Sequence, residues 1–125
     1  MKIYFSIVFL LFGCISSPND NEVKRAIIDF SSKELVIDSV NANERKFISF
    51  KIYNRGSKQL NIKEMVADCH CSELRLEKQD VNPGDSSRVD VIYKPILLGP
   101  AMQKIIIKSN GSDEDEVVVF RAIVK

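Results

Sequence analysis

Apolar and polar residues alternate along most of this chain, and that period of two limits the folds it can adopt. The alternation is clear in residues 34–40, 47–53 and 88–93. Successive side chains of a β-strand point to opposite faces, so such segments bury one face and expose the other. Beyond residue 26, no long run carries the apolar stripe of an amphipathic helix. The sequence therefore predicts a chain built from strands.

Turn signals separate the alternating segments. Gly56 follows one of them and, as a glycine, is free to take a positive φ. Pro83 presets φ for a turn, and Gly84 permits the positive φ that the next position needs. Residues 98–100 form another break, and residues 110–111 suit a hairpin connection between the last two apolar runs.

Short strands at this spacing predict an all-β fold, an antiparallel immunoglobulin-like sandwich of about seven strands. One such domain fits residues 26–125. The strand that starts at Leu60 is expected to continue to about Cys71. The predicted core consists of apolar residues on one face of the strands: Phe50, Ile52, Leu60, Val91 and Ile107.

The N-terminus has the pattern of an export signal. Lys2 precedes the apolar run 3–12, which as a helix would rise about 15 Å, half of a bilayer core. A spanning helix is therefore excluded, and a signal peptide over residues 1–13 is predicted. The run ends in Leu-Phe-Gly-Cys, which resembles a bacterial lipobox with Cys14 as the lipidated residue. The alternative is an ordinary cleaved signal followed by an incidental cysteine.

Lipidation at Cys14 would hold the protein on a membrane without spanning it, because two or three acyl chains anchor far better than one. Residues 14–25 then form a polar tether. The predicted location is the cell envelope, either facing the periplasm or on the cell surface. The 18 Lys and Arg residues against 17 Asp and Glu residues give no basic excess, so no nucleic-acid partner is expected.

Four short motifs follow one another in the predicted sandwich. They are Asn54-Arg55-Gly56, Leu60-Asn61-Ile62, Cys69-His70-Cys71 and Pro83-Gly84-Asp85. In this order the motifs resemble a bacterial family of secreted immunoglobulin-like domains with a Cys-x-Cys signature, related to Hydin-type and major-sperm-protein-type sandwiches. The family usually has Gly where this chain has His70. The resemblance implies the fold and export, and it implies no established activity.

Cys69 and Cys71 leave three chemical interpretations open. In an extended strand their Cα atoms would lie about 6.6 Å apart on one face, just within reach of a disulfide. Two thiolates would also suit Cu(I), with His70 as an additional ligand and thioethers from Met65 or Met102. More simply, the two methionines fill gaps in the core. A redox-active dithiol is the third interpretation.

Other chemistry-bearing patterns are weak. A Ser-His-Asp site needs a histidine held by a carboxylate, and the single histidine, His70, lies between two cysteines. The acidic run 113–116 is expected to be a solvated loop rather than a Ca²⁺ site. Asp38-Ser39-Val40 resembles an O-glycosylation site of exported bacterial proteins.

These features favour a non-enzymatic, lipid-anchored envelope protein, whose sandwich binds or scaffolds another protein and needs no cofactor. The alternative is a copper-handling lipoprotein that uses Cys69 and Cys71. A thiol–disulfide enzyme is disfavoured, because the chain lacks the Cys-x-x-Cys motif that lowers a thiol pKa at a helix start.

The lipobox resemblance makes a direct prediction. Cells fed a palmitate analogue should label the wild-type protein and leave Cys14→Ala unlabelled, because the thiol is the acylated group. The variant should also leave the membrane fraction. Equal labelling of the two proteins would exclude lipidation at this cysteine.

Overall fold

The protein folds as strands throughout the part of the chain that the structure describes. The structure, a computed structural model, describes residue 13 and residues 24–125. Within these residues, no helix is long and apolar enough to cross a membrane. The nine strands are β1 (Ile28–Phe30), β2 (Glu34–Val40), β3 (Lys46–Asn54), β4 (Leu60–Ala67), β5 (Ser72–Leu76), β6 (Asp80–Val81), β7 (Ser86–Tyr93), β8 (Gly99–Ser109) and β9 (Glu116–Val124).

The strands form two sheets. One has four strands in the order β1-β3-β7-β5, and the other has five in the order β2-β9-β8-β4-β6. The predicted all-β class and two-sheet sandwich are confirmed. The predicted count of about seven strands is too low, because β1 and β6 have three and two residues, too few to show an alternating pattern.

One strand pair departs from the predicted antiparallel arrangement. Strand β2 pairs with β9 in parallel, with Glu34 opposite Val119 and Val40 opposite Val124. The chain leaves β1 in the four-stranded sheet and enters the five-stranded sheet at its edge, alongside its last strand. The other strand pairs are antiparallel.

The core lies between the sheets and contains the residues that the alternation predicts. Phe50 is 3% exposed, and Ile52, Leu60, Val91 and Ile107 are fully buried. Every second residue of β7 is buried: Ser87, Val89, Val91 and Tyr93. Tyr93 lies edge-on to Phe120 across the core, with ring centroids 5.0 Å apart. Phe30 packs beside Phe50 on the neighbouring strand of the four-stranded sheet.

Asn54 at the end of β3 is a fully buried polar residue. Its amide nitrogen donates to the carbonyl oxygens of Lys58 at 2.7 Å and Val81 at 2.9 Å. Its side-chain oxygen accepts from the backbone N–H groups of Gly56 at 2.9 Å and Ile27 at 3.4 Å. Both ends of the amide are therefore satisfied, as a buried polar group requires.

Glycine is needed at position 56 because of space and not because of φ. A Cβ atom there would lie 2.1 Å from the carbonyl oxygen of Arg25, whereas positive φ is found at Gly84 and Gly99 and not at Gly56. Gly56 therefore does not use its freedom to take a positive φ. The prediction for Gly84 is confirmed: its φ is 80°, and the Asp85 N–H donates to the Asn82 carbonyl at 3.0 Å across the turn.

The sandwich has two distinct ends. At the first, which we call the entry end, the chain enters at Lys24, and the N–H of Ile28 donates to the Gly111 carbonyl. At the second, the crossover end, the chain passes between the sheets three times, from β2 to β3, from β4 to β5 and from β7 to β8. The N–H of Lys94 joins the last two of these crossings by donating to the Cys71 carbonyl at 2.8 Å.

Two phenylalanines of β3 test the register of the sandwich. Phe50→Ala should lower the free energy of unfolding by about 3–5 kcal/mol, because it opens a cavity in a packed core. Phe47 lies three residues earlier in the same strand and is 68% exposed, so Phe47→Ala should cost about 0.5 kcal/mol or less. Urea unfolding followed by circular dichroism measures both, and equal losses would contradict the register.

Candidate functional site

The Cys-x-Cys motif lies in a turn at the crossover end. Strand β4 ends at Ala67 and β5 begins at Ser72, so the predicted continuation of the strand to Cys71 is wrong. The sulfur atoms of Cys69 and Cys71 are joined in a disulfide, with the Cα atoms 5.2 Å apart. The turn brings the two residues closer than the roughly 6.6 Å of an extended strand.

Backbone hydrogen bonds hold this disulfide turn against both sheets. The Asp68 N–H donates to the Lys104 carbonyl at 3.0 Å, and the Lys104 N–H donates to Oδ1 of Asp68 at 2.9 Å. These bonds fix one side of the turn to β8. The bond from Lys94 to Cys71 fixes the other side to the end of β7, so the turn is a joint between the sheets.

Of the residues weighed as additional metal ligands, Met102 borders the same cavity as the two cysteines, whereas His70 and Met65 do not. His70 is exposed at the apex of the turn, and Met65 packs partly buried against the core. Met102 borders a cavity beside the disulfide and is 52% exposed, so it does not fill the core as expected. Within residue 13 and residues 24–125, no group of three or more His, Cys, Asp or Glu side chains is placed to hold a metal ion.

An exposed apolar loop lies next to the disulfide. Ile96, Leu97 and Leu98, which we call the apolar loop, are 69%, 83% and 72% exposed. They border a cavity of about 400 Å³ together with both cysteines, Tyr93 and Met102. Burial raises the pKa of the Tyr93 hydroxyl above its ordinary value.

Sequence reasoning did not single out the apolar loop. Residues 98–100 were interpreted as a break, and Gly99 does have a positive φ of 104° there. The available signal was a run of three aliphatic residues between Pro95 and Pro100, where a solvent-facing turn would ordinarily be polar.

A second surface, which we call the edge groove, runs between β4 and β5 on one side of the sandwich. Strand β5 is an edge of its sheet, and β4 is covered on that side only at Leu60 and Asn61, by β6. The groove has a volume of about 360 Å³, and the half-buried side chains of Met65, Leu74 and Leu76 line it. Lys63, Glu64 and Gln79 also line it, so the groove combines strand edges with half-buried apolar side chains and polar ones.

The remaining residues of interest lie apart from these surfaces. In the acidic run, Glu116 pairs with Lys33 at 2.6 Å and Asp115 approaches Lys108 at 3.9 Å. Asp113 and Glu114 are exposed, as expected for a solvated loop. Ser39 is exposed on edge strand β2. Cys14 and the predicted signal peptide lie outside the described residues, apart from residue 13.

The two sheets and their connections define a β-sandwich of the immunoglobulin type. Residues 28–124, from the first strand to the last, match the family described as "Protein of unknown function (DUF1573)". The chain belongs to this family. No curated protein matches the sequence.

Solved structures with low sequence identity share the fold. A protein of unknown function from Porphyromonas gingivalis W83 has a TM-score of 0.71 and 14% identity, over 80% of this chain and 47% of that one. The present chain thus spans about half the length of that protein.

Two further neighbours are single domains. The ASH / PapD-like domain 7 of human CEP192 has a TM-score of 0.63 and 9% identity, over 98% of both chains. WR4, a C. elegans MSP family member, has a TM-score of 0.53 and 10% identity, over 81% of this chain and 100% of that one. These neighbours confirm the prediction that the chain has the fold of a major-sperm-protein-type sandwich.

The disulfide turn predicts a specific mass change. Residues 14–125 carrying Cys14→Ser, exported behind a cleaved signal, should gain about 2 Da on reduction, the mass of two hydrogens. Replacing Cys69 and Cys71 by Ser should cost about 1–2 kcal/mol, because so short a loop contributes little chain entropy. Free thiols in the unreduced sample, with one copper bound per chain, would instead indicate a metal site.

Proposed function

We propose that this protein is a non-enzymatic envelope protein, exported and held on a membrane by lipid at Cys14, whose sandwich binds an extended segment of another protein. The edge groove is the main evidence for the binding role. An incoming strand can pair with a free sheet edge while alternate side chains enter adjacent pockets, which gives affinity and specificity separately.

The edge groove has the parts that such binding needs. The β5 edge runs over five residues, and the backbone groups of alternate residues in an edge strand face away from the paired neighbour. Leu74 and Leu76 have the same spacing as alternate side chains of an incoming strand, and Met65 faces them from β4. The flexible methionine can adapt to different apolar side chains.

Charges on the outer surface of β5 limit unwanted pairing. Glu73 and Arg75 are exposed and form an ion pair at 3.4 Å. Charged side chains on an edge disfavour continuous stacking of identical chains. A partner strand that complements these two charges would still be accepted, so the edge can be selective.

The arrangement of titratable groups supports a role without catalysis. The single histidine is exposed in the disulfide turn, and its neighbouring cysteines are bonded to each other. Two carboxylates have lowered pKa values, and hydrogen bonds explain both. The backbone N–H of Phe30 lowers the pKa of Asp29, and the side chain of Lys78 lowers the pKa of Asp85. Both groups serve surface ion pairs.

Copper handling is the alternative, and one observation favours it. Cys69, Cys71 and Met102 border the same cavity, and three sulfur atoms suit Cu(I). This role requires the disulfide to be reduced first, because thiolates are the ligands. The mass measurement described above separates the two functions.

Photo-crosslinking in living cells tests the binding role. A photoreactive residue in place of Arg75, whose side chain is 66% exposed on the β5 edge, should form a covalent adduct with a second envelope protein. Peptide mapping should place the adduct in an extended segment of that protein. The control replaces Lys51, which is exposed on the interior strand β3. Adducts of equal yield at both positions, or at neither, would refute the edge as the binding site.

A further inference from the structure

The disulfide turn, residues 68–71, connects the two walls of the edge groove. One wall is β4, which ends at Ala67, and the other is β5, which begins at Ser72. Strand β4 pairs with β8 and β6, and β5 pairs with β7, so no ladder of hydrogen bonds joins the two walls within the described part of the chain. The turn is therefore the direct link between them.

The disulfide turn is anchored to both sheets. Asp68 exchanges two hydrogen bonds with Lys104 of β8, at 2.9 and 3.0 Å. The Cys71 carbonyl accepts from the N–H of Lys94, just beyond the end of β7, at 2.8 Å. The first anchor belongs to the sheet that contains β4, and the second belongs to the sheet that contains β5. The bond between Cys69 and Cys71 is therefore a covalent tie between the two anchors.

The disulfide also sets where β5 starts relative to β4. The Cα atoms of the two cysteines are 5.2 Å apart, compared with about 6.6 Å for residues two apart in an extended strand. In the closed turn, the Ser72 N–H donates to the Cys69 carbonyl at 3.3 Å. Met65 and Leu74 line the groove within four residues of the disulfide. A change in the length of the turn would therefore reach the groove walls.

The start of β5 contains a buried hydroxyl that the closed turn leaves unpaired. Oγ of Ser72 has no hydrogen-bond partner among the residues that the structure describes. A buried hydroxyl without a partner destabilises the arrangement that contains it. A shift of Ser72 that pairs or exposes this group would remove that penalty, so a second arrangement of the turn competes with the closed one whenever the disulfide is open.

Opening the disulfide would leave the domain folded. The bond joins residues two apart in the sequence, so it contributes little chain entropy to the stability of the whole domain. The hydrogen bonds of Asp68 and Lys94 do not involve sulfur. Both cysteines are half-buried and border a cavity of about 400 Å³, which is within the size range of small-molecule sites. A thiol can therefore approach the disulfide without unfolding the core.

We propose that Cys69 and Cys71 form a redox switch that controls binding in the edge groove, an inference that rests on the binding role proposed above. The oxidised turn holds β4 and β5 in the arrangement that a partner strand fits, and reduction loosens that arrangement.

The reductant is a dithiol protein of the same compartment. One of its thiolates attacks a sulfur of the disulfide, so that the bond between Cys69 and Cys71 breaks and a mixed disulfide forms. The second thiol of the donor then displaces that sulfur. The donor becomes a disulfide, and two electrons and two protons pass from it to Cys69 and Cys71.

Methyl NMR shows whether the disulfide controls the groove. The protein is residues 14–125 with Cys14→Ser, which retains every strand of the domain. It contains two methionines, Met65 in the edge groove and Met102 beside the disulfide. With isotope-labelled methyl groups, dithiothreitol, a small dithiol, should shift or broaden the signals of Met65 and Leu74 as well as that of Met102. A change confined to Met102 would overturn the proposal.

Two controls show that the change is specific. The methyl signals of Ile28 and Leu60, at the entry end, should stay in place, because these residues lie far from the turn. Dithiothreitol should have no effect on Cys69→Ala with Cys71→Ala, which has no disulfide to reduce. Shifts of equal size at both ends of the sandwich would indicate a general loss of stability and would contradict a local switch.

Photo-crosslinking at Arg75 separates the switch from the binding role. Cys69→Ala with Cys71→Ala should lower the adduct yield about 2–10-fold, because the partner must then order groove side chains that the oxidised turn holds in advance. His70→Ala, exposed in the same turn, keeps the disulfide and should crosslink like the wild type. Thermal unfolding confirms that both variants fold. Equal yields from the double variant and the wild type would overturn the switch. Absence of adducts from all three proteins would refute the binding role, and the Met65 signal would still decide whether the disulfide controls the groove.

Discussion

The buried side chain of Asn54 is the interaction on which the arrangement at the entry end depends. Through its amide and its backbone it contacts Ile27 before β1, Val81 in β6 and the turn at Gly84 and Asp85. These segments come from both sheets and from distant parts of the chain. Each of the partner groups is a backbone N–H or carbonyl. Burying such a group without a hydrogen bond would lower the free energy of unfolding. Through its side chain and its backbone, one residue thereby joins these segments to the end of β3.

Strand periodicity predicted the fold wherever a strand was long enough to repeat. Residues 34–40 were predicted as a strand and form β2, and the five predicted core residues are all buried. Strand β6 could not be found in this way, because it is defined by pairing with Leu60 and Asn61 and not by its own two residues. The parallel pairing of β2 with β9 could not be predicted from alternation either. Alternation shows which face of a strand a residue lies on, but not which strand is its neighbour.

The candidate surfaces were harder to predict than the core, because they depend on how separate segments meet. Cys69 and Cys71 were recognisable as a unit, yet the turn that joins them to β7 and β8 required the tertiary structure. Met65 and Leu74 look like ordinary core residues in the sequence, and they become a groove floor because β4 and β5 belong to different sheets. The run of three aliphatic residues between Pro95 and Pro100 was the available signal for the apolar loop. The interpretation of Gly99 as part of a turn drew attention away from that run.

The parallel pairing of β2 with β9 has a consequence for when this domain can fold. Strand β2 is among the first to leave the ribosome, but its hydrogen-bonding partner contains Val119 to Val124, at the far end of the sequence. The five-stranded sheet therefore remains incomplete until nearly the whole chain has been synthesised. Such long-range closure slows folding relative to local pairing. The domain can therefore complete this sheet only after its last strand has been translated.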